Sequence, residues 1–140
     1  MIPASEYSLH PIGFVRSQLM VREEAPLQGF EGAPKAWVEI DSAFAEALSG
    51  IVSGDEVILL TWLHLSRRDV LMVHPRGDSR NPLTGVFATR SPDRPNPIGL
   101  HRVRVLKVDA PARILVGPLE ALDGTPVVDI KPVLSGSIDA

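Results

Sequence analysis

Cysteine is absent from the 140 residues. That excludes a disulfide framework, a thiolate nucleophile and any zinc or iron–sulfur site with sulfur ligands. The four histidines (His10, His64, His74, His101) show no HxH or HxxxH spacing, so no dedicated metal site is expected. Ser91 lacks the G-x-S-x-G setting of a hydrolase nucleophile. No P-loop lysine follows a glycine loop, and there is no dinucleotide-binding glycine fingerprint. No run approaches the roughly 18 apolar residues needed to cross a bilayer, and Met1 to His10 lacks the basic start and apolar centre of a secretory signal. The expectation is a soluble, cytoplasmic protein with no membrane partner. Aromatic residues make up only 5%. Between residues 65 and 104 the only one is Phe87, which leaves little for nucleic-acid bases to stack on.

What is present is ordinary in its proportions and unusual in its order. Apolar residues at 44% and charged residues at 22% are globular values. Thirteen prolines and eleven glycines point to short elements between many turns. Strands are predicted at 7–15, 36–40, 57–65, 70–74, 85–89, 100–108, 114–119 and 127–130, and the phase shift at Leu106 predicts a bulge. One short helix is predicted after Asp41 or Ser42, stopped at Gly50. Such a chain reads as one all-β domain, a barrel or a sandwich, with at most one or two short helices.

Two segments carry most of the chemistry. In Gly85 to His101, GVFATRSPDRPNPIGLH, three prolines (Pro92, Pro95, Pro97) fix their own φ and restrict Ser91, Arg94 and Asn96 before them. The loop is either a rigid turn with solvated charges or a stiff frame presenting polar groups to a ligand. In the second segment, Asp123-Gly124-Thr125-Pro126 makes a turn into a strand. Asp129 and Lys131 share one face of that strand, as a solvated ion pair or as a wall for a zwitterionic ligand. Charge is also uneven. Residues 1–64 hold nine acidic and three basic side chains, while residues 65–104 hold eight arginines, three aspartates and no lysine. Arginine forks suit phosphates and carboxylates, so this block is either solvated surface or a face for an anionic partner. His64, in an apolar run, reads either as a hydrogen-bonded core residue or as a catalytic one.

The strings GVFATRSPDRPNPIGLH and LDGTPVVDIKP closely resemble the TsaA/YaeB-like family of β-barrel methyltransferases, also called TrmO-like. Ile12 to Ser17 (IGFVRS), Pro26-Leu27-Gln28 and His64-Leu65 resemble further family segments, and the resemblance covers about residues 9–134. It implies a single small β-barrel over 1–140, with 135–140 a loose tail, that forms homodimers with the cofactor near the interface. It also implies S-adenosylmethionine as cofactor. The implied reaction is methylation of N6 of threonylcarbamoyladenosine at position 37, in the anticodon loop of tRNA, with no DNA partner. By motif correspondence the cofactor-binding candidates are Pro26, Leu27, Gln28, His64, Leu65, Arg90, Leu100, Asp123, Gly124, Thr125, Pro126 and Val127. Leu27 departs from the arginine often found in that segment, which implies a backbone or apolar contact there. Arg94, Asn96 and Lys131 are candidates for the acceptor, and Arg90 suits a carboxylate of either molecule. Asp129, Asp93 and His64 are candidates to take the proton from the methylated nitrogen. Well-studied bacterial members carry an additional C-terminal domain, so another acceptor, or cofactor binding without catalysis, is the alternative expectation.

Overall fold

Alternation of apolar and polar residues puts one face of a strand against a core and the other towards water. It runs through most strands of the computed structural model, which describes residues 5–27 and 29–135. The strands are β1 (Gly13–Arg16), β2 (Ala36–Ile40), β3 (Glu56–Trp62), β4 (Met72–Val73), β5 (Thr84–Gly85), β6 (Ile98–Asp109), β7 (Arg113–Gly117) and β8 (Pro126–Pro132). Six close into a barrel in the order β1-β2-β7-β6-β3-β8, every neighbouring pair antiparallel. β4 and β5 pair only with each other. The expected all-β barrel is present. Its helical pieces are 3-10 turns, the longest being Ser42–Leu48, whose first turn is capped by the Asp41 carboxylate accepting from Ala43 N at 2.9 Å.

Val15, Val38, Leu59, Val105, Ile114, Val116, Leu119 and Val127 are wholly buried and fill the lumen. At about 1.5–3 kcal/mol per fully buried aliphatic side chain, this lining is the main stabilising term. On β6 the inward series is Gly99, His101, Val103, Val105, while Leu100, Arg102 and Arg104 face out. The bulge expected at Leu106 is there, as a register slip between Val105 and Lys107 against β7.

Three elements depart from expectation. Of residues 7–15 only the end is strand, because ladder pairing with β2 begins at Gly13 and Tyr7 stands 90% exposed. The 57–65 run stops being strand at Trp62. Residues 85–89 form the last residue of β5 and a 3-10 turn at Val86–Ala88. The Thr89 amide and hydroxyl both donate back to Val86 O, at 3.0 and 2.9 Å, a local closure that competes with a ladder.

The register explains where function can sit. β3 ends at Trp62 opposite the start of β6 at Ile98, so residues 63–97 leave and return at one end of the barrel. Arg16 at the end of β1 lies opposite Trp37 at the start of β2, and Val127 on β8 is paired with Thr61. The 17–35, 63–97 and 118–125 connections therefore gather at the same end. Both segments with chemical promise in the sequence lie in or beside these connections.

Candidate functional site

The proline loop is braced from within. The Arg94 guanidinium donates to Val86 O at 2.5 Å, to Thr89 O at 3.2 Å and to Ser91 O at 3.2 Å. Arg94 N donates to Arg67 O at 3.0 Å. The Asp93 carboxylate accepts from Arg67 N at 2.9 Å and from both Arg22 terminal nitrogens at 3.3 and 3.4 Å. Arg68 holds the far side: it lies over the Trp62 ring at 5.2 Å and donates to Pro95 O at 2.7 Å and Asn96 Oδ1 at 2.9 Å. A carbonyl oxygen near a guanidinium gains a charge-assisted bond, so these polar side chains hold the loop's shape.

The turn at residues 123–125 is braced in the same way. Asp123 Oδ1 accepts from Ser17 N at 3.0 Å, and Asp123 N donates to Leu19 O at 2.7 Å. Gly124 takes φ +82°, a conformation that favours glycine, and donates to Val15 O at 2.7 Å. The buried Thr125 hydroxyl donates to Leu122 O at 2.7 Å.

Between the braced segments lies a cleft of about 260 Å³. Its walls come from residues 25–27, 63–66, 90–92, 98–101 and 120–122, with Arg22, Arg94 and Thr125. The structure thus brings together Pro26, Leu27, His64, Leu65, Arg90, Leu100 and Thr125 among the cofactor candidates, and Arg94 among the acceptor candidates. His64 is an exposed residue of the turn that follows β3, where Leu63 N donates to Pro97 O at 2.8 Å and Ser66 N to Leu63 O at 2.9 Å. It is not in the strand core, as one reading of the sequence had it. Gln28 lies outside the described residues, as do residues 136–140 of the expected tail.

Other candidates stand elsewhere. Asp123, Gly124 and Pro126 form the braced turn and the first residue of β8, and the Val127 side chain is in the barrel core. Asp93 and Asn96 are engaged in bracing, outside the cleft wall. Asp129 lies opposite the outward-facing Leu60 and pairs with Lys131 at 3.0 Å on the barrel's outside. Val128 is the extra residue of a bulge where the β3–β8 register slips.

Sequence reasoning missed a buried chain of polar groups beside the cleft. Thr61 Oγ1 lies 2.7 Å from His101 Nε2, and His101 Nδ1 lies 2.5 Å from Glu120 Oε1. An ionised carboxylate only accepts, so Nδ1–H donates to Glu120; in the neutral ring Nε2 then accepts the Thr61 proton. Thr61 is fully buried, His101 is buried, and the Glu120 side chain is 16% exposed on the cleft wall. A Cβ on Gly99 would stand 2.3 Å from Thr61 Oγ1 and 2.7 Å from His101 Nε2, so this pair needs glycine beside it. The available signal was phase: in LHRVRV, His101 alternates with Val103 and Val105, which makes it an inward residue.

Leu100, His101 and Glu120 also line a second, shallower groove of about 550 Å³, together with Phe30, Lys35, Glu56, Arg102 and Arg104. Most arginines of the block are ion-paired, partly with carboxylates from outside it: Arg67 with Asp69 at 2.9 Å, Arg76 with Glu31 at 2.8 Å, Arg80 with Asp78 at 2.7 Å. Arg102 and Arg104 share the single carboxylate of Glu56, at 2.8 and 3.2 Å. The hydrogen bond from Arg102 and the charges of both arginines hold Glu56 below the usual glutamate range. Asp69 and Asp78 are likewise lowered, each first by its arginine's hydrogen bond. Arg90, exposed on the cleft wall, forms no ion pair among the described residues.

A family model described as the tRNA-methyltransferase O N-terminal domain matches residues 14–140. A "probable S-adenosyl-L-methionine-binding protein" of Methanothermobacter thermautotrophicus is 42% identical over 127 residues, covering 91% of this chain and 90% of that protein. An "S-adenosyl-L-methionine-binding protein" of Archaeoglobus fulgidus is 42% identical over 123 residues, covering 88% and 86%. Among solved structures, the crystal structure of TrmO from P. aeruginosa superposes with a TM-score of 0.78 at 31% identity. All of this chain is covered there, but only 60% of that longer one.

Proposed function

The chain belongs to the tRNA-methyltransferase O N-terminal domain family, and from that premise we propose that it is an S-adenosylmethionine-dependent methyltransferase with the cofactor held in the cleft. The donor set suits that molecule. Arg90, which forms no ion pair among the described residues, matches its carboxylate, and Leu27, Leu63, Leu65 and Leu100 supply apolar surface for its adenine. Bound there, the cofactor supplies a methyl group on a sulfonium sulfur that leaves as a neutral thioether. The protein's part is alignment, and the braced proline loop serves it. Prolines and the Arg94 bonds fix the wall before binding, so little ordering entropy is lost when the site fills.

The acceptor in this reading is N6 of threonylcarbamoyladenosine at position 37 of a tRNA anticodon loop, the enzyme acts in the cytoplasm, and two copies assemble as a dimer. The observation that carries the reading is the meeting, in one cleft, of Arg90, Ser91 and Leu100 from one family string with Leu122 and Thr125 from the other, Arg90 forming no ion pair among the described residues. A second reading, cofactor binding without transfer, draws on the arginine block, five of whose eight arginines are paired with carboxylates rather than free for phosphates. Incubating the purified chain with S-adenosylmethionine and tRNA that carries threonylcarbamoyladenosine separates them. A mass gain of one methyl on that nucleoside is expected. Cofactor binding with no gain favours the second reading, and no binding refutes both.

A further inference from the structure

We propose that Glu120 is the group that takes the proton from the acceptor nitrogen during methyl transfer, with His101 and Thr61 as its positioning residues; this rests on the methyltransferase reading above. A nitrogen that already bears a carbamoyl group holds its lone pair weakly, so losing its proton as the new bond forms lowers the barrier. Three candidates from the sequence are ill-placed for this. Asp93 already accepts from three donors, Asp129 is paired with Lys131 outside the barrel, and His64 is an exposed turn residue that the described structure holds by no hydrogen bond.

Glu120 has what they lack. One oxygen, Oε1, is fixed by His101, whose ring is fixed in turn by Thr61, and Gly99 leaves the space for both. Among the described residues every buried side-chain nitrogen or oxygen has a partner. Glu120 makes only the Oε1 bond, so Oε2 opens onto accessible space. Glu120 lines both concavities. The second groove suits an anionic, base-bearing acceptor. Phe30 is 81% exposed for stacking, and Lys35, Arg102 and Arg104 outnumber Glu56 and Glu120. The acceptor would then approach Glu120 from the groove while the cofactor lies in the cleft.

The step balances. The acceptor N–H bond breaks, its proton goes to Glu120 Oε2, and its electron pair stays on nitrogen. Nitrogen bonds the methyl carbon, and the carbon–sulfur pair leaves with sulfur, which becomes neutral. Glu120, now a carboxylic acid, later releases the proton to water.

The test uses the full chain, S-adenosylmethionine and a threonylcarbamoyladenosine-bearing anticodon stem-loop. For Glu120→Gln we expect cofactor affinity by calorimetry within threefold of wild type. Its single-turnover rate should fall by about 100-fold or more, with loss of the rise in rate through the carboxylate titration. In the wild type, without any variant, the Glu120 carboxyl carbon should titrate by NMR at the midpoint of that rise. The other ionisable groups around it are His101, Lys35, Glu56, Arg102 and Arg104 on the groove side and Arg22, His64, Arg90 and Arg94 on the cleft side. Thr61→Val should move the His101 ring-nitrogen resonances and lower the rate less than Glu120→Gln does. A Glu120→Gln rate within threefold of wild type overturns the proposal. So does a mismatch between the carboxyl titration and the pH profile, or a loss of cofactor affinity as large as the loss of rate, which would make Glu120 a cofactor ligand. A wild type that binds cofactor but transfers nothing overturns the parent reading, and is seen without reference to Glu120.

Discussion

Replacing Gly99 with alanine tests the packing that holds the polar chain of the cleft. The new Cβ would stand 2.3 Å from Thr61 Oγ1 and 2.7 Å from His101 Nε2, both well inside contact distance. Neither neighbour is free to give. Thr61 and Gly99 are register partners on β3 and β6, and Thr61 is fully buried. The Thr61–His101 bond must break, at about 1–3 kcal/mol for a buried group left without its partner. Overpacking adds about 1–3 kcal/mol, and the gain from removing a glycine in the unfolded chain returns about 0.4–1 kcal/mol. The net expectation is a loss of about 3 kcal/mol, read as a shift of the urea midpoint at unchanged slope and a melting temperature lower by roughly 10 °C. A double-mutant cycle identifies the cause. Thr61→Ala removes the hydroxyl that the new methyl meets, so Gly99→Ala should cost less in that background than in the wild type. A single-variant loss below about 0.5 kcal/mol, or strict additivity in the cycle, would refute the reasoning.

Arg90→Ala should weaken S-adenosylmethionine binding by about tenfold or more, yet change stability by less than about 0.5 kcal/mol, since Arg90 is exposed and has no ion pair among the described residues; equal affinity by calorimetry would exclude its role. Arg94→Met removes the bonds to Val86, Thr89 and Ser91 carbonyls. It should destabilise the domain by about 2–3 kcal/mol and raise hydrogen exchange across residues 86–97, both absent if the loop is held by its prolines alone. Glu56 is lowered below the usual glutamate range by Arg102 and then Arg104. Its contribution is therefore full above the ordinary glutamate value and lost as pH falls through the lowered one. Arg102→Met should move the Glu56 NMR midpoint upward and flatten the fall of stability over that window, whereas an unmoved midpoint would mean that Arg102 does not set it.

The fold was legible in the sequence because strands state their faces locally. Ala36–Ile40 and the β6 alternation, with its slip after Val105, could be read from period alone. Residues 85–89 misled because strand-forming types say nothing of the local closure by Thr89, which the nearby Arg94 reinforces. At the site, the two family strings lead to the end of the barrel where the cleft lies. What they could not separate was bracing from lining. Asp93, Asn96 and Asp123 are polar, sit in the strings, and hold backbone in place. Glu120, next to the second string, lines the cleft because His101, nineteen positions earlier, reaches it across the barrel end. That pairing depends on tertiary register, which one strand's pattern does not contain.

The central claim is that the cleft between the proline loop and the 118–125 connection holds S-adenosylmethionine. Calorimetric titration of the cofactor into the wild type and into Leu100→Trp tests it most directly. Leu100 lies on the cleft wall and is 37% exposed, so a larger ring fills the cleft without entering the barrel core. The account predicts saturable binding to the wild type and a loss of at least tenfold in affinity for the variant, with melting temperatures alike. Equal binding by both proteins, or no heat from the wild type, would contradict it.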